Sequence, residues 1–362
     1  MNAFPLIEIE GGPDERGRQY GRAAGDHIAR SLAFYREEFA RRGVDWQEAC
    51  LICDNVRKEI AAYDPGSERE IVAIAAGAEQ PVESVLMINA RTEVLNARRY
   101  ENSPAIPAEC SGIVALPEIT QSATVLHGQN WDWLDAVAAS TVVLRIKEED
   151  GTEILTLAEA GQLARSGMNK AGLALTANGL HTDAEGRTAG VCSPVIRRNL
   201  LRRRTLGEAI GVVMKAPRNY SHNFMISHAS GLAIDLETTP RNVFWIKPED
   251  GLLVHTNHFK NTAALASTAD DGVRASPDSL VREMLIEQRL AHRSRPVDMD
   301  MVINAFMDRT DEPYGVLQPP SANKSGVLES TVATIVMEPA AGRMRVCRTP
   351  YQGRDFHEYS FT

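Results

Sequence analysis

Nowhere does the chain carry about 18 consecutive apolar, uncharged residues, the minimum for a helix that crosses a bilayer. Its start, MNAFPLIEIEGGPDERGRQYG, lacks the basic and apolar segments of a signal peptide. These two absences predict a cytoplasmic protein with no membrane partner. Cysteine is scarce as well: Cys50, Cys53, Cys110, Cys192 and Cys347 are too few, and odd in number, for a disulfide scaffold, so free thiols are expected. Basic residues do not dominate, with 39 Lys and Arg against 48 Asp and Glu for a net charge of −9, which excludes a general phosphate-backbone binder and hence nucleic acid. Repeats of about 20–50 residues and low-complexity tracts are also missing. Gly11, Gly12, Gly17 and Gly21 lack the strand and GK[ST] pattern of a phosphate loop, and are read as turns and a close helix contact.

What is present is an ordinary globular composition, 43% hydrophobic and 24% charged, in 362 residues. That length predicts one large domain with an appendage, or two domains sharing an interface. Apolar residues at three- and four-residue steps predict helices from Gly17 to about Tyr100, punctuated by YDPGSE and EQPVES, so the first hundred residues read as nearly all helical. After ENSPAIPAE the pattern changes to short strands, GIVAL, ATVLHGQ, TVVLRI and EILTLAE, with further strands to about Arg348. Helices interrupt them at about Pro194–Lys215 and Pro277–Arg309, the latter broken near Pro296. Grouped helices and grouped strands predict an α+β fold.

The stretch PAIPAECSGIV joins the two regions and raises a chemical question. A lone cysteine is most simply a packed thiol. It becomes a nucleophile only when something lowers its pKa or takes its proton. None of the nine histidines sits in a papain-like context. The alternative base is the cysteine's own α-amine, with a pKa near 8 on the usual scale, about, which requires a cut just before the residue. A helical leader, a proline-stiffened linker and Cys110 at the head of a strand is the layout such a cut needs.

Several ordered blocks then carry a resemblance: GGPDERGRQYGRAAGDHI, ECSGIV, HGQNWDW, LAEAGQLARSGMNKAGLALTANGL, NFMISHASGLAIDLETTP and HTNHF. With them the chain resembles the acyl-coenzyme A:6-aminopenicillanic acid acyltransferase family, the self-processing C45 group of Ntn hydrolases. The resemblance implies an αββα sandwich behind a helical N-terminal leader, and self-cleavage between Glu109 and Cys110. It divides the chain into a leader, 1–109, and a catalytic part, 110–362, which remain each other's partner. It also implies that Cys110 is the nucleophile, that Asp132 lies beside its thiol and amine, and that Asn257 donates a hydrogen bond to the α-amine or to the oxyanion. Asn130, Trp131, His255 and His258 are expected at the substrate. The chain departs from the relatives at Gln129, where some carry an arginine, at Glu329, where the acyltransferase has a functional arginine, and at Glu109, where it has glycine.

Other motifs read more plainly. H-x-x-H at His255 and His258 lacks a third zinc ligand and is taken as pocket wall, so no metal is expected. C-x-x-C at Cys50 and Cys53 lies in a helix and reads as core. The run RRNLLRRR, Arg197 to Arg204, reads as a solvated or ion-paired helix face, with phosphate gripping as its alternative. The expected activity is hydrolysis of a small N-acylated amide through a thioester, with no cofactor. An acyltransferase is the second reading and an unprocessed, inactive binding protein the third. Association into a homo-oligomer is left open.

Overall fold

The computed structural model describes residues 3–97, 110–291, 296–323 and 326–361. The strands are β1 (Leu6–Gly11), β2 (Cys110–Ala115), β3 (Leu126–Leu134), β4 (Thr141–Glu148), β5 (Glu153–Glu159), β6 (Gly167–Asn169), β7 (Leu173–Gly179), β8 (His222–His228), β9 (Leu232–Thr238), β10 (Val243–Ile246), β11 (Leu252–His255), β12 (Ser321–Ala322), β13 (Leu328–Glu338), β14 (Arg343–Arg348) and β15 (Phe356–Ser360). The helices are α1 (Pro13–Arg41), α2 (Trp46–Tyr63), α3 (Pro65–Gly77), α4 (Val82–Asn89), α5 (Arg91–Leu95), α6 (Ser193–Leu201), α7 (Leu206–Lys215), α8 (Thr262–Ser267), α9 (Asp271–Ala275), α10 (Asp278–Ala291) and α11 (Met299–Phe306).

Two sheets stack face to face. The first runs β1-β4-β5-β6-β7-β8-β9-β10 and the second β11-β2-β3-β13-β14-β15, with β12 added to β13. Strand alternation sorts β2 between two environments. Val114 packs between the sheets with Met225 of β8, whereas Ile113 and Ala115 pack with Ile286 and Phe306 of α10 and α11. Gly112 has to be small, because a Cβ there would lie 2.4 Å from Met225 Sδ. Helices α6 and α7 lie against β7 and β8 of the first sheet, and α10 and α11 against the second. The layers are therefore α, β, β, α, the expected α+β sandwich.

The leader differs from the nearly all-helical expectation in one respect that matters. LIEIEG forms β1, with Ile7 and Ile9 buried and Leu6, Glu8 and Glu10 exposed, and it pairs in parallel with β4 at the edge of the first sheet. Alternation over six residues is a strand signal, but two glutamates and a glycine make it read as polar. Helix α1 begins at Pro13, earlier than Gly17, because proline at N1 and Asp14 and Glu15 in the first turn favour a helix start there. It buries Tyr20, Ala24, Ile28, Leu32, Tyr35 and Phe39, one stripe at helical spacing worth about 1.5–3 kcal/mol per large side chain. Gly17 and Gly21 make the predicted close contact: Cβ atoms there would meet Ala73 Cβ at 2.5 Å and Ile74 O at 2.2 Å on α3.

The helix expected over Pro194–Lys215 is two helices. Thr205 caps α7 in a reciprocal box with Glu208, a T-x-x-E start signal inside the apparent run. The arginine run is not a solvated face throughout. Arg198 is fully buried, pairing with Glu70 at 3.1 Å and Glu148 at 2.9 Å, and Arg202 reaches Glu148 at 2.9 Å and Asp64 at 2.8 Å. Arg16 of α1 joins through Glu70 at 2.7 Å. Burial alone would raise the Glu148 carboxyl, but Arg198, Arg202 and Arg16 hold it at about 2. This cluster ties α1 and α3 to β4 and α6, and so ties the segment before residue 98 to the segment after residue 109. Among the described residues no helix is long and apolar enough to cross a membrane.

Candidate active site

Cys110 opens β2 opposite Trp131 of β3. Counting alternation from Gly112 and Val114 places its side chain between the sheets, where it is 1% exposed. It lines a cavity shared with Asn89, Arg91, Arg165, His181 and Arg197. Ser111 faces the other way, toward α10. One strand thus presents the thiol to the cavity and anchors itself from behind.

Two charged groups frame the residue. Arg165, in the turn between β5 and β6, donates from Nη2 toward Cys110 Sγ at 3.7 Å while its guanidinium lies 3.9 Å above the Trp131 ring. Arg282 of α10 donates to Cys110 O at 2.9 Å, to Ser111 Oγ at 3.1 Å and to Asn257 Oδ1 at 3.0 Å. Asn257 Oδ1 also accepts the Cys110 N–H at 2.7 Å. Two donors converging on one atom require it to be the amide oxygen. The Asn257 Nδ2 then donates to Gly179 O at 2.9 Å. This corrects one half of the expectation: the Asn257 side chain accepts from the nucleophile's nitrogen rather than donating to it, and one of its two Nδ2 hydrogens is held by β7.

The loop carrying Asn257 is fastened from three sides. Ser279 Oγ accepts the Asn257 N–H at 2.8 Å, Asn178 Nδ2 donates to His255 O at 2.9 Å and Thr256 O at 3.0 Å, and Glu237 accepts from His255 Nε2 at 2.9 Å. Burial would lower the His255 pKa, but Asp235 and Glu237 outweigh it and raise it to about 9. His258 Nε2 meets Glu283 Oε2 at 2.8 Å and its Nδ1 meets Ser279 Oγ at 2.8 Å.

The electrostatics of the thiol are a contest. Burial raises its pKa, Arg165 lowers it, the Asp132 charge raises it, and the backbone hydrogen bond from Asp132 and the charge of Arg197 lower it; burial wins and the thiol lies above its ordinary value. Arg165 itself is lowered to about 10 by burial, with Cys110 opposing that fall.

The residues expected at the substrate are placed elsewhere. His255 and His258 are spent on carboxylates behind the asparagine loop rather than on the cavity wall. Asn130 faces α11, donating to Phe306 O and Val316 O at 2.8 Å and accepting from Thr334 Oγ1 at 2.6 Å. Trp131 is fully buried beneath Arg165. The histidines and Asn130 have found hydrogen-bond partners inside the protein and the Trp131 ring is covered by Arg165, so none of the four faces the cavity. Asp132 Oδ1 accepts from Thr331 Oγ1 at 2.6 Å and its carboxylate acts on the thiol through its charge. Glu109 lies outside the described residues. Gln129 is locked between Ala177 O, Asn178 Oδ1 and Ser166 Oγ at 2.6–2.9 Å. Glu329 accepts from Asn323 Nδ2 at 2.8 Å and does not line the cavity. Arg165 stands in LAEAGQLARSGMNKAGLALTANGL, where no spacing marks it as a partner of Cys110, and Arg282 sits in an amphipathic helix where nothing local distinguishes it from a surface residue.

Comparison with known proteins gives a consistent picture. The family model described as acyl-coenzyme A:6-aminopenicillanic acid acyl-transferase matches residues 119–349. The chain is 26% identical over 257 residues to the acyl-coenzyme A:6-aminopenicillanic-acid-acyltransferase 40 kDa form of Emericella nidulans, covering 70% of this chain and 68% of that one. Among solved structures it is similar to a Caenorhabditis elegans N-acylethanolamine-hydrolyzing acid amidase ortholog, with TM-score 0.46, 15% identity, and 64% of this chain and 93% of that chain covered. It is likewise similar to penicillin V acylase from Agrobacterium tumefaciens, with TM-score 0.44, 14% identity and coverage of 69% and 86%.

Proposed function

Because the chain belongs to the acyl-coenzyme A:6-aminopenicillanic acid acyl-transferase family, an enzyme family of acyl and amide chemistry, we propose that it is a self-processing cysteine amidohydrolase acting on a small N-acylated compound. The observation that carries this reading is the pairing of Cys110 with Arg165 at its sulfur and Asn257 at its nitrogen. In the unbroken chain that nitrogen is a peptide amide and has no basicity. Cutting the bond after Glu109 would turn it into an α-amine, already held by Asn257 Oδ1 beside the thiol.

Turnover then proceeds in two halves. The Cys110 sulfur attacks the amide carbonyl carbon while its proton passes to the α-amine, and Arg165 stabilises negative charge beside the sulfur. The C–N bond breaks as the protonated amine returns its proton to the leaving nitrogen, giving a thioester. Water adds to the thioester carbonyl, the C–S bond breaks, and the sulfur recovers a proton. Maturation uses the same sulfur on the Glu109 carbonyl: the acyl group moves from nitrogen to sulfur, and water then releases the leader.

A second reading, transfer of the acyl group to an amine, is favoured by the descriptions of the matching family and of the Emericella relative. Incubating the purified protein with an acyl donor and 6-aminopenicillanic acid, and scoring free acid against new amide, separates the two. The test of the whole proposal is N-terminal sequencing of purified protein. Two fragments are expected, the larger starting at Cys110, and Cys110→Ala is expected to give one full-length band with no activity. Active material that remains a single polypeptide would overturn the α-amine mechanism.

A further inference from the structure

Three guanidiniums line the cavity at Cys110, and they are differently provided for. Arg91 on α5 is matched by Glu159 at 2.7 Å. Arg165 is engaged by the Trp131 ring and the thiol. Arg197 on α6 is 5% exposed, pairs with no carboxylate among the described residues, and its Nε is buried without a hydrogen-bond partner. Ser193, one turn earlier on the same helix, also lines the cavity, and its Oγ is buried without a partner. Spacing of i and i+4 puts both groups on one helix stripe. Ser193 stands at the first turn of the nine-residue α6, where the helix dipole adds positive potential. No Asp or Glu is found among the described residues that line the cavity.

A buried cation normally has a counter-charge or a full set of acceptors. Burial and the nearby charges of Arg165 and Arg91 push Arg197 well below the ordinary guanidinium range, which measures how poorly its charge is compensated inside the protein. What would complete it is an acceptor that arrives from outside. One unmatched planar fork beside one hydroxyl suits a planar monoanion that accepts two parallel N–H bonds, which is the geometry of a carboxylate. The net charge of −9 works against a multiply charged phosphate ligand.

We propose that Arg197 and Ser193 form a carboxylate-binding subsite, so that the compound processed at Cys110 is an acylated amine or acyl donor bearing a carboxylate a few bonds from the carbonyl under attack. This assignment rests on Cys110 as the reacting residue. Arg197 fixes the carboxylate, and the helix stripe sets its distance from the thiol. Uncharged analogues lose that contact and leave a buried cation unmatched.

The test reads binding without turnover. The full-length protein as purified is titrated calorimetrically with 4-phenylbutyrate and with 4-phenylbutanol, neither of which has an amide to cleave. Wild type is expected to bind the carboxylate at least about tenfold more tightly than the alcohol, as a charge-assisted pair should. Arg197→Met should abolish the preference, Arg197→Lys should keep part of it, and Ser193→Ala should weaken it a few-fold. Equal binding of the two probes by wild type, or a preference that survives in Arg197→Met, overturns the subsite. Should Arg197→Met fail to fold by its melting curve, the wild-type probe pair and Ser193→Ala decide. A protein that bound the carboxylate but cleaved no amide would leave the subsite standing and remove the amidohydrolase, whereas an amidohydrolase indifferent to the carboxylate would do the reverse.

Discussion

At Cys110 burial favours the neutral thiol and Arg165 favours the thiolate, and the sulfur's chemistry depends on the margin between them. Removing the guanidinium in Arg165→Met takes away the largest influence that opposes burial. The iodoacetamide labelling of the Cys110 peptide, followed by mass spectrometry against pH, is then expected to move to higher pH, with kcat/KM down at least about tenfold. An unmoved labelling profile would reduce Arg165 to a packing role over Trp131. At this scale the sequence disclosed Cys110 and Asn257, because both stand in distinctive local blocks. It did not disclose Arg165 or Arg282 as members of the site, because the contacts that recruit them are made through sheet stacking and helix placement, 55 and 172 residues away along the chain. Nor did it show that His255 and His258 would be consumed by Glu237 and Glu283, since a histidine's partner is a fact of packing rather than of spacing.

Among the elements, α1 and α3 pack tightly against each other, and two glycines on α1 offer a matched comparison. A Cβ at Gly21 would lie 2.2 Å from Ile74 O, a backbone atom that cannot swing aside, whereas a Cβ at Gly25 meets nothing within 4 Å. Gly25→Ala should therefore stabilise the protein by up to about 1 kcal/mol through helix propensity. Gly21→Ala gains the same propensity but should lose a net 1–3 kcal/mol, about the usual cost of overpacking. Urea midpoints for the two variants check this, and a Gly21→Ala as stable as Gly25→Ala would mean that the α1–α3 contact is not tight. The helix contact was readable from the glycine spacing. The strand β1 was not, because two of its six residues are glutamates, and only a neighbouring β4 makes Ile7 and Ile9 a buried face. Thr205 and Glu208 carried a legible cap that divides α6 from α7, but the apolar period running through both helices masked it.

For the whole molecule, the buried His255–Glu237 pair predicts how stability follows pH. The folded His255 pKa of about 9 exceeds the unfolded value of about 6.5, so its contribution is complete below the lower figure and is lost as pH rises through the higher. Asp235 has the opposite origin, raised to about 6 by burial, so what it contributes is already lost by neutral pH. Between pH 7 and 9.5 the urea midpoint should fall, by about 1–3 kcal/mol in stability, and His255→Gln should flatten that slope. A wild-type midpoint that holds level across this range would rule the coupling out. The two halves of the chain are also bound to each other by more than the peptide link: Arg16, Glu70, Arg198 and Glu148 interlock in the interior, and Tyr20 OH accepts the Gly161 N–H at 2.9 Å. If the chain cuts itself before Cys110 as proposed, the fragments are expected to elute together in gel filtration even in strong salt, and to part only in denaturant.

The parallel pairing of β1 with β4 has a consequence for anyone making residues 110–362 alone. A polypeptide begun at Cys110 would leave the outer margin of β4 bare, its amides and carbonyls facing water in a row that invites strands from other molecules. Such a product should clump on expression, and supplying residues 1–97 from a second plasmid should return it to solution.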